Sequence, residues 1–334
     1  MWREGHWEMP ASAVRPAGLE NRRGAAAAPR GSVKAVVRRP PMLPLLGLLT
    51  LCLVWGLSVP LTKLGLQAFP PLLLATLRYL TAAPLFALLL LGRSLPSRRG
   101  LLAMAALGVL GIDCGQLTQV LGVQDTAAAV ATIFSATIPV FVVVLASWRL
   151  RQKLRPSHAF GLALALLGIA EVASHGDWRA FAGMSATAWR GDALMLVSAV
   201  SVALYYVLSA ELSQRHSVIT VAAWSSLFGV VPLLPVLAWE WHATDIRPGL
   251  LGIGVVLYLG VLVTVAGIWI WLNVLRVLPA RIAAGTQYLQ PLIGVAASAA
   301  LFGDPIDGSF AAGTVLVFIG IALTTLQRAT RRPS

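Results

Sequence analysis

The chain has 334 residues, of which 57 % are hydrophobic and only 12 % charged, too little charged surface for a soluble domain of this length. Its net charge of +13 sits in tails and loops. That placement orients a lipid-embedded chain and argues against a nucleic-acid partner. Two cysteines, Cys52 and Cys114, both inside apolar runs, argue against a disulfide framework or zinc site, and five histidines at tails and loop edges argue against a His-ligated metal. No metal and no cofactor is expected.

Residues 1–42 form a basic, Ala/Gly/Pro-rich tail without the apolar run of a signal peptide, expected to be disordered and cytoplasmic. Met42 directly precedes the first span and is an equally good start for the chain. Apolar runs then predict ten spans, with limits 43–63, 71–92, 101–121, 126–147, 158–175, 192–211, 219–239, 249–275, 279–301 and 309–327. Each is helical by necessity, since backbone groups in hydrocarbon must bond within their own segment. Residues 328–334 form a second short tail. The fold class is thus an all-α membrane protein.

Charges test the count. With both termini inside, ten Lys and Arg fall in inner loops against Arg179, Arg190 and Arg247 in outer loops, and only Lys63 and Arg78 lie within spans. Both termini are therefore expected on the cytoplasmic side of an inner (plasma) membrane.

The chain contains one stretch twice. A gapless shift of 152 residues lays Leu107-Gly108-Val109-Leu110 on Leu259-Gly260-Val261-Leu262, Gly115 on Gly267, Pro139 on Pro291, Gly161 on Gly313 and Gly168 on Gly320. Across positions 107–170, 16 of 64 pairs are identical. Glycines and prolines shape the backbone, so their shared register marks a structural duplication. The first five-helix repeat spans 43–175, an outer connection 176–191, and the second repeat 192–327. Five spans per repeat is odd, so the second copy enters the membrane from the opposite side. Inverted repeats build secondary transporters with a midplane site.

Trp55-Gly56 with Lys63 and Arg78, Pro139 before its basic loop, Leu278-Pro279-Ala280, and Tyr288-Leu289-Gln290-Pro291 with Phe302-Gly303-Asp304 resemble EamA-type members of the drug/metabolite transporter superfamily. The likeness covers residues 45–327. It implies ten spans in two repeats and a carrier for a small metabolite, often an amino acid, with a central cavity. The chain departs from the family pattern at Gln152 and Gln290, where members carry glutamate, and has Asp304 where Glu is usual.

Asp113 is the deepest charge, roughly 18 Å from the inner and about 12 Å from the outer end of its span. An isolated carboxylate there costs about 2.5–3.5 kcal/mol and must be protonated, paired or wetted. Arg78 reaches a similar depth, so the two can pair, either as a substrate site or as a static ion pair. Gln116 and Gln119 follow Asp113 at three-residue steps as one polar stripe, lining a cavity or bonding neighbouring helices. Their counterparts Val265, Ile268 and Trp271 are apolar or aromatic, which suits an amphipathic substrate. Trp55 and Tyr205 lie at mid-depth, as substrate contacts or as core. Gln290 precedes helix-bending Pro291, and Pro139 and Pro291 are paired pivots or static bends. Lys63 near an outer helix end is expected to snorkel.

These residues point to a secondary transporter exporting a small metabolite such as an amino acid. An alternative is proton-coupled efflux of lipophilic cations, which neutralisation of Asp113 by Arg78 would disfavour. An intramembrane enzyme is a distant third, lacking a buried nucleophile–base pair. Expected partners are a small-molecule substrate and the lipid bilayer, with a coupling proton and a homodimer as further options.

Overall fold

The computed structural model describes residues 42–149, 156–176, 185–243, 246, 248–277 and 286–325. All regular structure among them is helical. The helices are α1 (Met42–Gly65), α2 (Pro71–Leu90), α3 (Arg98–Asp125), α4 (Ala128–Arg149), α5 (Pro156–Ser174), α6 (Ala186–Leu212), α7 (Val218–Val230), α8 (Leu233–Ala243), α9 (Leu250–Val274), α10 (Leu289–Phe302) and α11 (Gly308–Thr325). Seven of them, α1 to α6 and α9, are long and apolar enough to cross a membrane. The pair α7–α8, bent by 42°, supplies an eighth crossing if taken as one span, and α10 and α11 are shorter apolar helices. This is a multi-pass membrane protein. The expected tails, the basic loop after Arg149, residues 177–184 of the connection and Leu278-Pro279-Ala280 lie outside the described residues.

Helix starts follow local chemistry. The Ser97 hydroxyl accepts from the Gly100 N–H, Ser185 from Ala188 and Ser217 from Thr220, each an N-cap supplying an orphan donor with a partner. Ser185 starts α6 at Ala186, six residues before the expected 192, because a capped, solvent-facing first turn carries no hydropathy signal. Asp307 caps α11, accepting from the Phe310 N–H at 2.7 Å and from the Ser309 hydroxyl. Those two donors hold its carboxyl below the usual carboxylate range. Gly303, at φ 68°, closes α10 in the left-handed conformation that glycine takes without strain.

Prolines mark the breaks. In α1 the helix interrupts at Leu57, three residues before Pro60. In α4 it interrupts at Thr137, two before Pro139, where the Thr137 hydroxyl donates to the Phe134 carbonyl at 2.6 Å. Described α10 starts after a turn at 287–288, so Pro291 falls in its first turn, the position a helix tolerates. A break precedes Pro139 and a turn precedes Pro291, and Pro139 is exposed while Pro291 is buried.

Two nine-residue π-helical segments interrupt α3 and α9, at Val109–Leu117 and Tyr258–Ala266. They occupy nearly the same place in the two sequence repeats. Packing between the repeats is reciprocal. A Cβ on Gly161 would lie 2.7 Å from the Gly320 carbonyl oxygen, and one on Gly320 2.5 Å from that of Gly161. Gly168 and Gly313 meet in the same way, at 2.5 and 2.7 Å. Gly161 faces Gly320 while Gly168 faces Gly313, so α5 and α11 cross antiparallel through glycines that the 152-residue shift makes equivalent. Likewise Gly108 packs on the backbone of α7 at Ser225, and its counterpart Gly260 packs on that of α2 at Arg78.

Candidate functional site

Arg78 joins the two π-helical segments. Its Nε donates to the Thr264 hydroxyl at 3.1 Å, and Nη1 donates to the Gln116 side-chain carbonyl at 3.0 Å. Thr264 belongs to the second segment and Gln116 to the first. Arg78 is only 9 % exposed. One buried guanidinium, whose donors form a rigid planar fork, therefore ties the two repeats together at mid-depth.

The expected Arg78–Asp113 pair does not form. Both carboxylate oxygens of Asp113 are buried and without a hydrogen-bond partner among the described residues. The cause is the winding of α3. Through Val109–Leu117 the bonds run i→i+5, so each residue turns through a smaller angle than in an α-helix. Residues 113 and 116 then diverge, and Gln116 rather than Asp113 meets Arg78. Both charges still lie within electrostatic reach of the Tyr79 phenol. An unpartnered buried carboxylate is costly enough that it must carry a proton or take a cationic partner.

A π-helix frees carbonyls, and polar side chains take them up. The Thr264 hydroxyl donates to Leu259, five residues back, at 2.8 Å. Trp55 Nε1 donates across the repeats to the Val263 carbonyl at 3.0 Å. In the first segment Ser198 from α6 donates to the Gly115 carbonyl at 2.7 Å. Each segment is thus held by the first helix of the other repeat. Trp55 stands 6.1 Å from Trp271, ring centre to ring centre.

The remaining expected residues are more scattered. Tyr205 covers Gly111 with its ring, and its hydroxyl shares a 3.1 Å hydrogen bond with Ser225. Gln119 is half-buried and has no side-chain hydrogen bond among the described residues. Gln290 lies at the α1–α10 contact, its backbone carbonyl oxygen against Gly56 and its buried Nε2 without a partner among the described residues. A cavity of about 10 Å³ sits elsewhere, among Phe86, Leu89, Ile219, Val265 and Trp269. It is wholly apolar and too small for a metabolite.

Lys63 is tied to backbone at the end of a neighbouring span. Its Nζ donates to the carbonyls of Val123, Gln124 and Thr126 at 2.7, 2.9 and 2.8 Å. These are groups that the end of α3 leaves without intrahelical partners, a nearer sink for the ammonium than the membrane interface. Thr264, Ser198 and Asp192 were not among the expected residues. Thr264 and Ser198 are lone hydroxyls in apolar runs, and Asp192 stood at the expected edge of its span.

A helical membrane protein with a duplicated sequence, joined across its repeats by a buried arginine, has the plan of a transporter. The EamA-like transporter family model matches the chain twice, over residues 42–173 and 189–326, and the chain belongs to that family. Its similarity extends to an uncharacterized transporter of Archaeoglobus fulgidus, 26 % identical over 82 % of this chain and 95 % of the relative. The inner membrane transporter YedA of Escherichia coli is 28 % identical over 86 % and 92 %. A Salmonella typhimurium protein named "probable amino-acid metabolite efflux pump" is 28 % identical over 85 % and 95 %. A protein of known crystal structure matches with a TM-score of 0.58 at 18 % identity, over 85 % of this chain and 96 % of that one, a likeness of fold alone.

Proposed function

We propose that this chain is a secondary carrier that exports a small metabolite, such as an amino acid, by alternating access between two inverted five-helix repeats. Ten crossings with both termini cytoplasmic accord with the distribution of Lys and Arg. The antiparallel meeting of α5 and α11 through equivalent glycines supports inversion. Equivalent helices that both cross a bilayer in opposite directions require repeats of opposite topology.

Arg78 carries the functional reading: it bridges both π-helical segments beside the unpartnered carboxylate of Asp113. In this reading a substrate carboxylate displaces Gln116 from Arg78 and a substrate ammonium takes Asp113. The apolar part rests on Trp55 and Trp271, with Gln119, Tyr205 and Gln290 as further contacts and Pro139 and Pro291 as pivots. The efflux pump among the relatives favours an exported amino-acid metabolite. Chemistry on the substrate forms no part of the reading, since family and relatives are transporters.

One observation favours the second reading, proton-coupled efflux of lipophilic cations. Asp113 is not neutralised by Arg78, which leaves it free to exchange a proton for a cation. A thermal-shift panel of amino acids, nucleosides, sugars and lipophilic cations separates the two, run on wild type and Asp113→Asn at pH 6 and 8. A zwitterion hit lost in the variant supports the first reading. A cation hit that strengthens at pH 8 and disappears in the variant supports the second. A hit unchanged in a folded variant removes Asp113 from the site.

A further inference from the structure

Side chains from three other elements grip the turn between α3 and α4, residues 123–129. Lys63, at the end of α1, holds the last carbonyls of α3. From α6, Arg190 Nε donates to Asp125 at 2.7 Å, and Asp192 accepts the Thr126 hydroxyl at 2.6 Å. From the connection between α10 and α11, Asp304 accepts the Ala129 N–H at 2.8 Å, at the start of α4. Asp125 and Asp304 both lie within electrostatic reach of the Lys63 ammonium.

We infer that this grip is the latch of a gate: the α3–α4 tip moves outward only when Lys63 leaves the carbonyls of α3 and Asp304 leaves the first turn of α4. The inference rests on the alternating-access reading above and adds the device that holds one end shut.

Two features separate a latch from a static cap. The tip lies between two soft points. On the α3 side the ladder is π-helical over Val109–Leu117, and on the α4 side it breaks at Thr137. Between them the helices are regular, so residues 118–136 can move as one body. The grip also joins the repeats. Lys63 and the tip belong to the first, while Asp192 and Asp304 belong to the second and Arg190 stands on α6, the helix that opens it. Parting the repeats at this end must break the contacts of Arg190, Asp192 and Asp304 with the tip, after which only Lys63 holds it, and each group released is charged or polar and passes to water. Exchange of a protein hydrogen bond for a water one has a small net cost, as a reversible gate requires.

The test is hydrogen–deuterium exchange of the full chain in lipid nanodiscs, for wild type, Lys63→Met, Lys63→Arg and Asp304→Asn. Lys63→Met and Asp304→Asn are expected to speed exchange by about tenfold, in concert, over residues 109–137. Lys63→Arg should stay near wild type, and α5 and α11 should not change. Three results overturn the inference: unchanged exchange, a rise confined to residues 122–126 (a frayed cap), or a rise over all helices. Asp304→Asn keeps the acceptor oxygen and loses only charge, so it stays informative if Lys63→Met fails to fold. The ligand panel probes Asp113 independently, and a positive panel with unchanged exchange would discard the latch alone.

Discussion

The α5–α11 crossing predicts a pattern of energies as well as a loss of stability. A Cβ on Gly168 falls 2.5 Å from the Gly313 carbonyl oxygen and 2.8 Å from Val317, against an ordinary contact of 3.4–4 Å. Gly168→Ala therefore forces the helices apart by about 1 Å locally, an overpacking that costs about 1–3 kcal/mol. Gly313→Ala should cost the same, since its Cβ meets the Gly168 carbonyl at 2.7 Å. In the double variant the second methyl enters a gap that the first has opened, so the pair should cost less than its sum by about 0.5 kcal/mol or more. Gly320 lies in the other layer, seven residues or roughly 10 Å along the helix. Gly168→Ala with Gly320→Ala should thus add to within about 0.5 kcal/mol. These last two positions are equivalent in the repeats, and each alone should cost the same. Equilibrium unfolding by dodecyl sulfate in mixed micelles, followed by tryptophan fluorescence, measures all of these. Strict additivity of Gly168→Ala with Gly313→Ala, or a single cost below about 0.5 kcal/mol, would refute the close crossing.

Arg78→Lys keeps the charge but cannot reach Thr264 and Gln116 at once, and one buried acceptor loses its donor. A loss of about 1.5–3 kcal/mol in the same unfolding assay is expected, and an unchanged value would show that the bridge between the π-helical segments is dispensable. Asp307 carries a pH signature. Its folded carboxyl titrates below its unfolded value of 3.8, so its contribution is complete above that pH and is lost as pH falls through the folded value. Melting curves taken downward from pH 4 should show this loss in wild type, beginning below 3.8. In Asp307→Asn, which keeps a capping oxygen without the charge, that part of the pH dependence should vanish, and its persistence would assign it to another group.

The positions of the seven long apolar helices and the duplication were legible because both rest on residue type along one dimension. Apolar runs mark depth, and Gly161, Gly168, Gly313 and Gly320 mark register. That equivalent glycines touch one another was not legible, because a register says which residues correspond and not which meet. The site divides in the same way. Asp113, Arg78, Trp55 and Tyr205 were placed at a common depth by counting residues, with Gln116 on the stripe after Asp113, and hydrogen bonds to the π-helical segments bring Arg78, Gln116, Trp55 and Thr264 together. Their pairing was misjudged because counting assumed an unbroken α-helix. Depth is a transfer free energy, which hydropathy records. Facing is an angle, and one change of winding between Val109 and Leu117 rotates every later residue without altering the apolar pattern. Lys63 follows the same logic. Its position near a helix end suggested the membrane interface; the three carbonyls it takes, at the end of α3 and in the turn after it, were not legible from its own span. A charged group in a bundle goes to the nearest unsatisfied backbone, and which backbone that is depends on neighbours that no single span specifies.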